Sequence, residues 1–265
     1  HSAINSADLS VRQIANSGVL SLLFASLGSS CVLIRNFALS TLARGIVLLN
    51  KQTPKKMPGF RERPQLFTLF RFVQNAIATT ADPVGSQSSA SGGKLGDGAS
   101  INLFSKPLPA SVSLFLARAS LHIMQPAHEL YSPVNKYLLS RPFVDCKDVP
   151  LYDLLIGAGS LKSSSFPEVT VTEQLACLRL IRDGINGRAD HLNLCRKNAY
   201  SHLLALAVLP NTDLRVIHTV FDILERTLSL PAVARYVIER CRIVTWLVQI
   251  GSSCGGRRRG GRRCG

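Results

Sequence analysis

The side chains best suited to chemistry are a histidine and a cysteine four residues apart, His191 and Cys195. On a helix, residues at this spacing lie on one face, so the two could be half of a four-ligand zinc site. No second pair with metal-ligand spacing accompanies them, and the surrounding sequence is typical of an amphipathic helix. We therefore favour a structural role for both residues, and we predict no cofactor.

Two glycine-containing segments match catalytic motifs only in part. Gly92-Gly93-Lys94 is followed by Leu95, where a phosphate-binding loop needs a hydroxyl group. Gly157-Ala158-Gly159-Ser160 lacks the flanking residues of a nucleophile elbow or a dinucleotide-binding turn. Neither segment supports an active site.

Three carboxylates, Asp145, Asp148 and Asp153, surround Pro150. Their spacing favours a helix cap at Asp148 over acid–base catalysis. Because no other polar constellation converges, we predict that the protein is not an enzyme.

Positive charge is the strongest compositional signal. The 265 residues include 31 Lys and Arg but only 16 Asp and Glu, a formal net charge of +15. Such an excess predicts a polyanionic partner or a basic tail. Aromatic residues make up only 6% of the chain, which argues against a surface of stacking rings for unpaired bases.

The basic residues form two clusters, for which phosphate contact is the functional interpretation. The first lies in a segment whose prolines and glycine predict an exposed loop, and a solvated connector is its alternative. The second lies in a Gly/Arg segment that we expect to be disordered, and an artefactual sequence is its alternative, because the composition changes abruptly after Ile250. The first cluster comprises Lys51, Lys55, Lys56, Arg61 and Arg63, followed by Arg71 and interrupted only by Glu62, and the second comprises Arg257, Arg258, Arg259, Arg262 and Arg263.

The cysteines and the apolar segments indicate a reduced protein without a membrane partner. Seven scattered cysteines contain no CxxC pair, which favours free thiols in an intracellular protein. The 22 uncharged residues between Arg12 and Arg35 could span a bilayer by length. Polar residues interrupt them, however, and we expect Gly18 and Gly28 to divide them into two buried helices.

Helical periodicity extends along most of the chain. The sequence Thr170-Val-Thr-Glu173 predicts a capping box for a helix that buries Leu178, Ile181 and Ile185. A second helix follows Asn211, and within it Asp222 and Arg226 are spaced for an ion pair. Its predicted inward stripe is Leu214, Ile217, Phe221, Leu224 and Leu228.

Strand patterns are absent from the sequence, and we predict an all-α fold. Helices of this length, joined by short turns, must cover one another's apolar stripes, which favours an irregular armadillo/HEAT-like α-solenoid. We divide the chain into helical repeats over residues 1–80 and 110–250, a flexible Gly/Ser-rich insertion at 81–109 and a tail at 251–265.

A family resemblance adds to this description. The segments Asn135–Pro142 and Asp145–Leu155 are similar to the C-terminal domain of the nucleolar pre-ribosomal-associated protein 1 family, also called Urb or Npa, and the similarity covers residues 118–250. The resemblance implies a nucleolar helical-repeat scaffold in early 60S subunit assembly and pre-rRNA processing. The implied partners are pre-ribosomal particle proteins and pre-rRNA, and no catalytic residues carry over.

Several residues form the structural signature of this resemblance, and Arg141 is a further candidate for contact with RNA or a partner. The signature elements either fix the packing of two repeats or contact a partner directly. A generic armadillo/HEAT protein-binding adaptor is the alternative function, although peptide-binding solenoids often use tryptophan ladders and this chain has one Trp. The signature residues are Leu138, Leu139, Pro142, Asp148, Pro150, Pro231 and Trp246.

Overall fold

The computed structural model describes residues 11–51, 61–80, 107–140, 145–155, 170–209 and 212–256. Every regular element within these ranges is an α-helix, which confirms the predicted all-α fold. The armadillo/HEAT-like arrangement stays a prediction. The helices are α1 (Val11–Asn16), α2 (Val19–Ser26), α3 (Val32–Lys51), α4 (Arg63–Thr80), α5 (Ala110–His122), α6 (Tyr131–Ser140), α7 (Val171–Gly184), α8 (Arg188–Arg196), α9 (Ala199–Val208), α10 (Leu214–Leu228), α11 (Pro231–Arg240) and α12 (Ile243–Gly256).

The chain forms two compact units, His1–Asp148 and Val149–Gly265. The predicted insertion at 81–109 lies outside the described residues except for its last three. Helix α12 continues to Gly256, so the first residues of the segment predicted to be disordered are helical. Residues 257–265, with all five tail arginines, lie outside the described residues. The sequence-based division itself stays a prediction.

In the first unit, α2 packs against α5 and a glycine permits their close approach. A Cβ atom added at Gly28 would lie 2.5 Å from Oγ of Ser113 on α5. The backbone N–H of Leu108, just before α5, donates to Leu27 O at 3.1 Å.

Gly18 separates α1 from α2 in a left-handed conformation with φ of 78°. Gly18 and Gly28 thus divide this apolar stretch as predicted, but its residues belong to three helices rather than two. Leu22, Leu33 and Ile34 are exposed, so the expectation that these helices are buried is wrong.

Helix α3 contacts α2 and α4 through one face and buries an arginine there. Its buried residues are Arg35, Ala38, Leu42 and Leu49. Arg35 is only 1% exposed, and its Nη1 donates to Ser29 O at 2.7 Å and Ser30 O at 3.0 Å. The buried cation thereby holds the turn that precedes α3. By length and composition alone, α3 could also cross a membrane.

The second unit is built around the contact between α7 and α10. Both halves of the predicted capping box are present, with Glu173 N–H donating to Thr170 Oγ1 at 3.2 Å and Thr170 N–H to Glu173 Oε2 at 2.8 Å. Leu178, Ile181 and Ile185 are buried as predicted.

The predicted stripe on α10 is only partly right: Leu224 is buried, and Ile217 and Leu228 are half-buried. Leu214 and Phe221 are exposed, whereas the inward face is formed by Val216, Thr219, Val220, Ile223, Leu224 and Thr227. Two of these residues are threonines, so a search for hydrophobic residues at helical spacing does not find this face. Each satisfies its hydroxyl within the helix, Thr219 by donating to Arg215 O and Thr227 to Ile223 O, both at 2.7 Å.

The predicted ion pair within α10 is also wrong, because α7 and the loop after it offer nearer partners. Asp222 pairs instead with Arg182 of α7 at 3.3 Å. Arg226 donates to Ile185 O at 3.0 Å and to Asn186 Oδ1 at 2.8 Å. Both side chains therefore join α10 to the end of α7.

Candidate functional site

The first basic cluster connects α3 to α4. Lys51 is the last residue of α3, and Arg61 lies just before α4; both side chains are exposed. Arg63, the first residue of α4, is half-buried, and its Nη2 donates to Leu49 O at 3.0 Å. Lys55 and Lys56 lie outside the described residues. Two cations of the cluster are thus exposed, while a third binds the last turn of α3.

The neighbouring helices extend this positive surface. Arg44 on α3 and Arg71 on α4 are exposed, and the Arg71 guanidinium lies 5.7 Å from the centre of the Phe67 ring. No Asp or Glu occurs anywhere in residues 9–61, a stretch that contains seven Lys and Arg. An anion near this stretch would meet no carboxylate from it.

The two segments that carry the family resemblance, Asn135–Pro142 and Asp145–Leu155, form the signature segment, which lies in the first unit and at the start of the second. On α6, Leu138 is buried and Leu139 is exposed, while Arg141 and Pro142 lie outside the described residues. Asp148 and Pro150 are both buried. The expected helix start directly after Asp148 is wrong, because the chain makes turns until helical residues resume at 153.

The turn around Asp148 is ordered by Asp145. The Asp145 Oδ1 atom accepts from Lys147 N–H at 2.8 Å, and the backbone N–H of Asp148 donates to Asp145 O at 3.0 Å. A side-chain acceptor two residues before its donor is typical of an Asx turn. Asp145, three residues before Asp148, therefore closes a turn with the kind of side-chain-to-backbone bond that the sequence indicated for a helix cap.

Pro231 and Trp246 have structural contacts in the second unit. Pro231 is the first residue of α11, as predicted, where its missing N–H costs no helical hydrogen bond. Trp246 on α12 donates its indole N–H to Leu204 O at 3.2 Å, and its ring centre lies 5.8 Å from that of Phe221. The single tryptophan thereby ties α12 to α9 and α10.

The His191–Cys195 pair belongs to a network between α8, α9 and α11. His191 Nδ1 lies 2.9 Å from the Tyr200 hydroxyl, and Cys195 Sγ lies 3.3 Å from His191 Nε2. The Tyr236 ring meets the imidazole edge to face at 5.1 Å. Burial lowers the pKa of His191 and raises the pKa of Cys195, so both groups favour their neutral forms.

Within the described ranges, no group of three His, Cys, Asp or Glu side chains lies close enough to hold a metal ion. The contacts of His191 are instead those of a packed histidine, with a tyrosine hydroxyl on one nitrogen and a thiol on the other. Sequence spacing identified the pair, but the two tyrosines that enclose it come from other helices.

Comparison with known proteins gives one consistent result. The family described as nucleolar pre-ribosomal-associated protein 1 matches residues 20–246. A Mus musculus protein of that name is 26% identical over 192 residues, which cover 72% of this chain and 7% of the relative. The Homo sapiens protein is 25% identical over 144 residues, which cover 54% and 6%. No solved structure matches.

The chain thus spans less than a tenth of the length of these relatives. Their shared name refers to the nucleolus, and the nucleolar localisation implied by the resemblance is confirmed. The matched region includes most of both structural units and the whole signature segment. The protein therefore belongs to the nucleolar pre-ribosomal-associated protein 1 family.

Proposed function

We propose that this chain is a non-catalytic helical scaffold of early 60S precursor particles in the nucleolus, where it binds pre-rRNA and pre-ribosomal proteins and supports pre-rRNA processing. The relatives' name, which contains the term pre-ribosomal-associated, supports the proposed association with a ribosome precursor particle. The carboxylate-free basic stretch at residues 9–61 is the observation that carries the contact with RNA.

The physical basis is counterion release. Lys and Arg side chains that neutralise phosphates displace condensed cations from RNA, which makes binding favourable and dependent on salt. Lys51 and Arg61 are exposed at the two ends of the α3–α4 connection, so a phosphate backbone can reach both. Arg63 contributes less to this surface, because its guanidinium already donates to Leu49 O.

The non-catalytic role is supported by the best chemical candidates, which are used for packing. Tyr200 and Tyr236 enclose His191, and Asp145 closes a backbone turn. A peptide-binding adaptor of the armadillo/HEAT type is the alternative. Trp246 argues against a tryptophan ladder on such an adaptor, because its indole N–H is donated inward to Leu204 O.

Salt-dependent binding to RNA tests this proposal. The chain is titrated against a fluorescent, structured fragment of large-subunit pre-rRNA, and the dissociation constant is measured from about 50 to 300 mM salt. We expect log K to fall linearly with log salt concentration. The double variant Lys51→Ala/Arg61→Ala should lower the slope by about 2, since each lost phosphate contact contributes about 1.

The matched control, Lys136→Ala/Arg179→Ala, removes the same charge at two exposed sites outside the segment. It should leave most of the slope unchanged. Equal slopes for the two double variants would refute the assignment of RNA contact to this segment. Weak, salt-insensitive RNA binding alongside tight binding of a short peptide would favour the adaptor.

A further inference from the structure

Helix α3 has an exposed apolar face opposite the face that it buries. Leu33 is 78% exposed and Phe37 68% exposed, and four further large apolar residues of the helix, Val32 among them, are also exposed. The face turned away from them contacts α2 and α4. We call the following part of this exposed surface the outer face of α3: Leu33, Ile34, Phe37, Arg44, Val47 and Leu48.

The outer face has the spacing of a helix-packing seam. Ile34, Phe37, Arg44 and Leu48 fall at steps of three, seven and four residues, with the half-buried Thr41 at the intervening position. This 3–4 alternation keeps a line of side chains in register with a second helix. Its apolar members lie near the two ends, and the cation lies between them, roughly 10 Å along the axis from Phe37.

The positive charge around this face favours an acidic partner. Helix α3 contains no Asp or Glu, and the first unit as a whole holds 15 basic and 7 acidic residues, a net charge of +8. Two copies of such a surface would repel each other. A bilayer surface fits less well than a helix, because the apolar residues are interrupted by Arg44 in the middle of the line.

We propose that the outer face of α3 binds an acidic amphipathic helix of a partner protein. Apolar side chains of that helix cover Leu33, Phe37 and Leu48, and a carboxylate between them meets Arg44. This contact is of the helix-in-groove type, in which a few heptad-spaced anchors carry most of the binding energy. Its apolar anchors are distinct from Lys51 and Arg61, the exposed cations of the RNA contact proposed above.

A pair of synthetic helical peptides tests this proposal on the whole 265-residue chain. Each peptide has about four heptads with leucines in the seam; one has Glu at the flanking positions and the other has Lys. Fluorescence anisotropy should detect binding of the Glu peptide only. Phe37→Ser should weaken that binding by about tenfold or more.

Charge reversal and matched controls make the test specific. Arg44→Glu should weaken the binding of the Glu peptide and permit binding of the Lys peptide. Leu214→Ser replaces a comparably exposed leucine on α10 and should change nothing, as should Lys136→Ala/Arg179→Ala, which removes two exposed charges outside α3.

Three results would overturn the proposal. The first is equal binding of both peptides, or binding that Phe37→Ser does not affect. The second is Phe37-dependent retention on phosphatidylserine vesicles without peptide binding, which would assign the face to a membrane. The third is concentration-dependent self-association that Phe37→Ser abolishes, which would assign it to a second copy.

Discussion

Several side-chain N–H groups in this protein bind main-chain carbonyl groups distant in sequence or at helix ends. Arg63 reaches the last turn of α3, and Arg226 reaches Ile185 at the end of α7. Arg35 is buried against two carbonyls before α3. Part of the formal charge of +15 is therefore used to join helices, and a count of basic residues overestimates the charge available to a polyanion.

These roles could not be predicted from the sequence. The partner of Arg63 lies 14 residues away and that of Arg226 lies 41 residues away, and each is a backbone atom that any residue could supply. The exposed ends of the basic segment, Lys51 and Arg61, were predictable because prolines and a glycine lie between them.

Titration of His122 is expected to make stability depend on pH. The ring centres of His122 and His128 lie 4.2 Å apart, and burial, with His128 and Arg118 nearby, lowers the pKa of His122 from 6.5 to about 4. Between these values the unfolded chain binds more protons, so the free energy of unfolding should fall as the pH drops from 6.5 towards 4.

Urea unfolding measured from pH 7 to pH 5 checks this expectation. The midpoint should fall less in His122→Gln than in the parent chain. His218→Gln, at an exposed site on α10, should keep the parental pH dependence. Identical pH profiles for the parent and His122→Gln would exclude a contribution from this pair.

Among the helices, features that depend only on neighbouring residues are predicted correctly from the sequence, whereas features that depend on tertiary contacts are not. The capping box at Thr170 needs only residues within four positions, so its sequence is sufficient evidence. The inward face of α10 depends on α7, α9 and α11, all of which contact this helix. Because neighbouring helices pack on several sides of α10, its buried face includes two threonines and leaves Leu214 and Phe221 of the more hydrophobic stripe exposed.

The approach of α2 to α5 gives a stability prediction at this scale. A methyl group at Gly28 would overlap Ser113 Oγ and lie 3.2 Å from Ser113 Cβ, and Ser113 is itself buried. Gly28→Ala should therefore cost about 1–3 kcal/mol of unfolding free energy.

Chemical denaturation of single and double variants measures this cost. Gly251→Ala is the control, because its Cβ would meet no atom within 4 Å. Adding Ser113→Ala should recover part of the loss, since the closest contact disappears. A Gly28→Ala variant as stable as Gly251→Ala would show that the two helices have room to spare.

For the whole molecule, helical periodicity and the absence of strand patterns predict the all-α class, which the structure confirms, and the combined segments from Asn135 to Leu155 identify the family. The polyanionic partner stays a prediction. The sequence does not predict the outer face of α3, because an apolar helix of this composition could equally be buried on all sides. Only the packing of α2 and α4 on the other side distinguishes the two cases.

Protein–RNA crosslinking of the full-length family member in cells tests the scaffold role most directly. We expect crosslinked peptides from this region to map to the α3–α4 connection, between Lys51 and Arg63, and the attached nucleotides to belong to large-subunit pre-rRNA. Crosslinks confined to small-subunit precursors, or an absence of RNA crosslinks throughout residues 9–71 in particles that contain the protein, would contradict it.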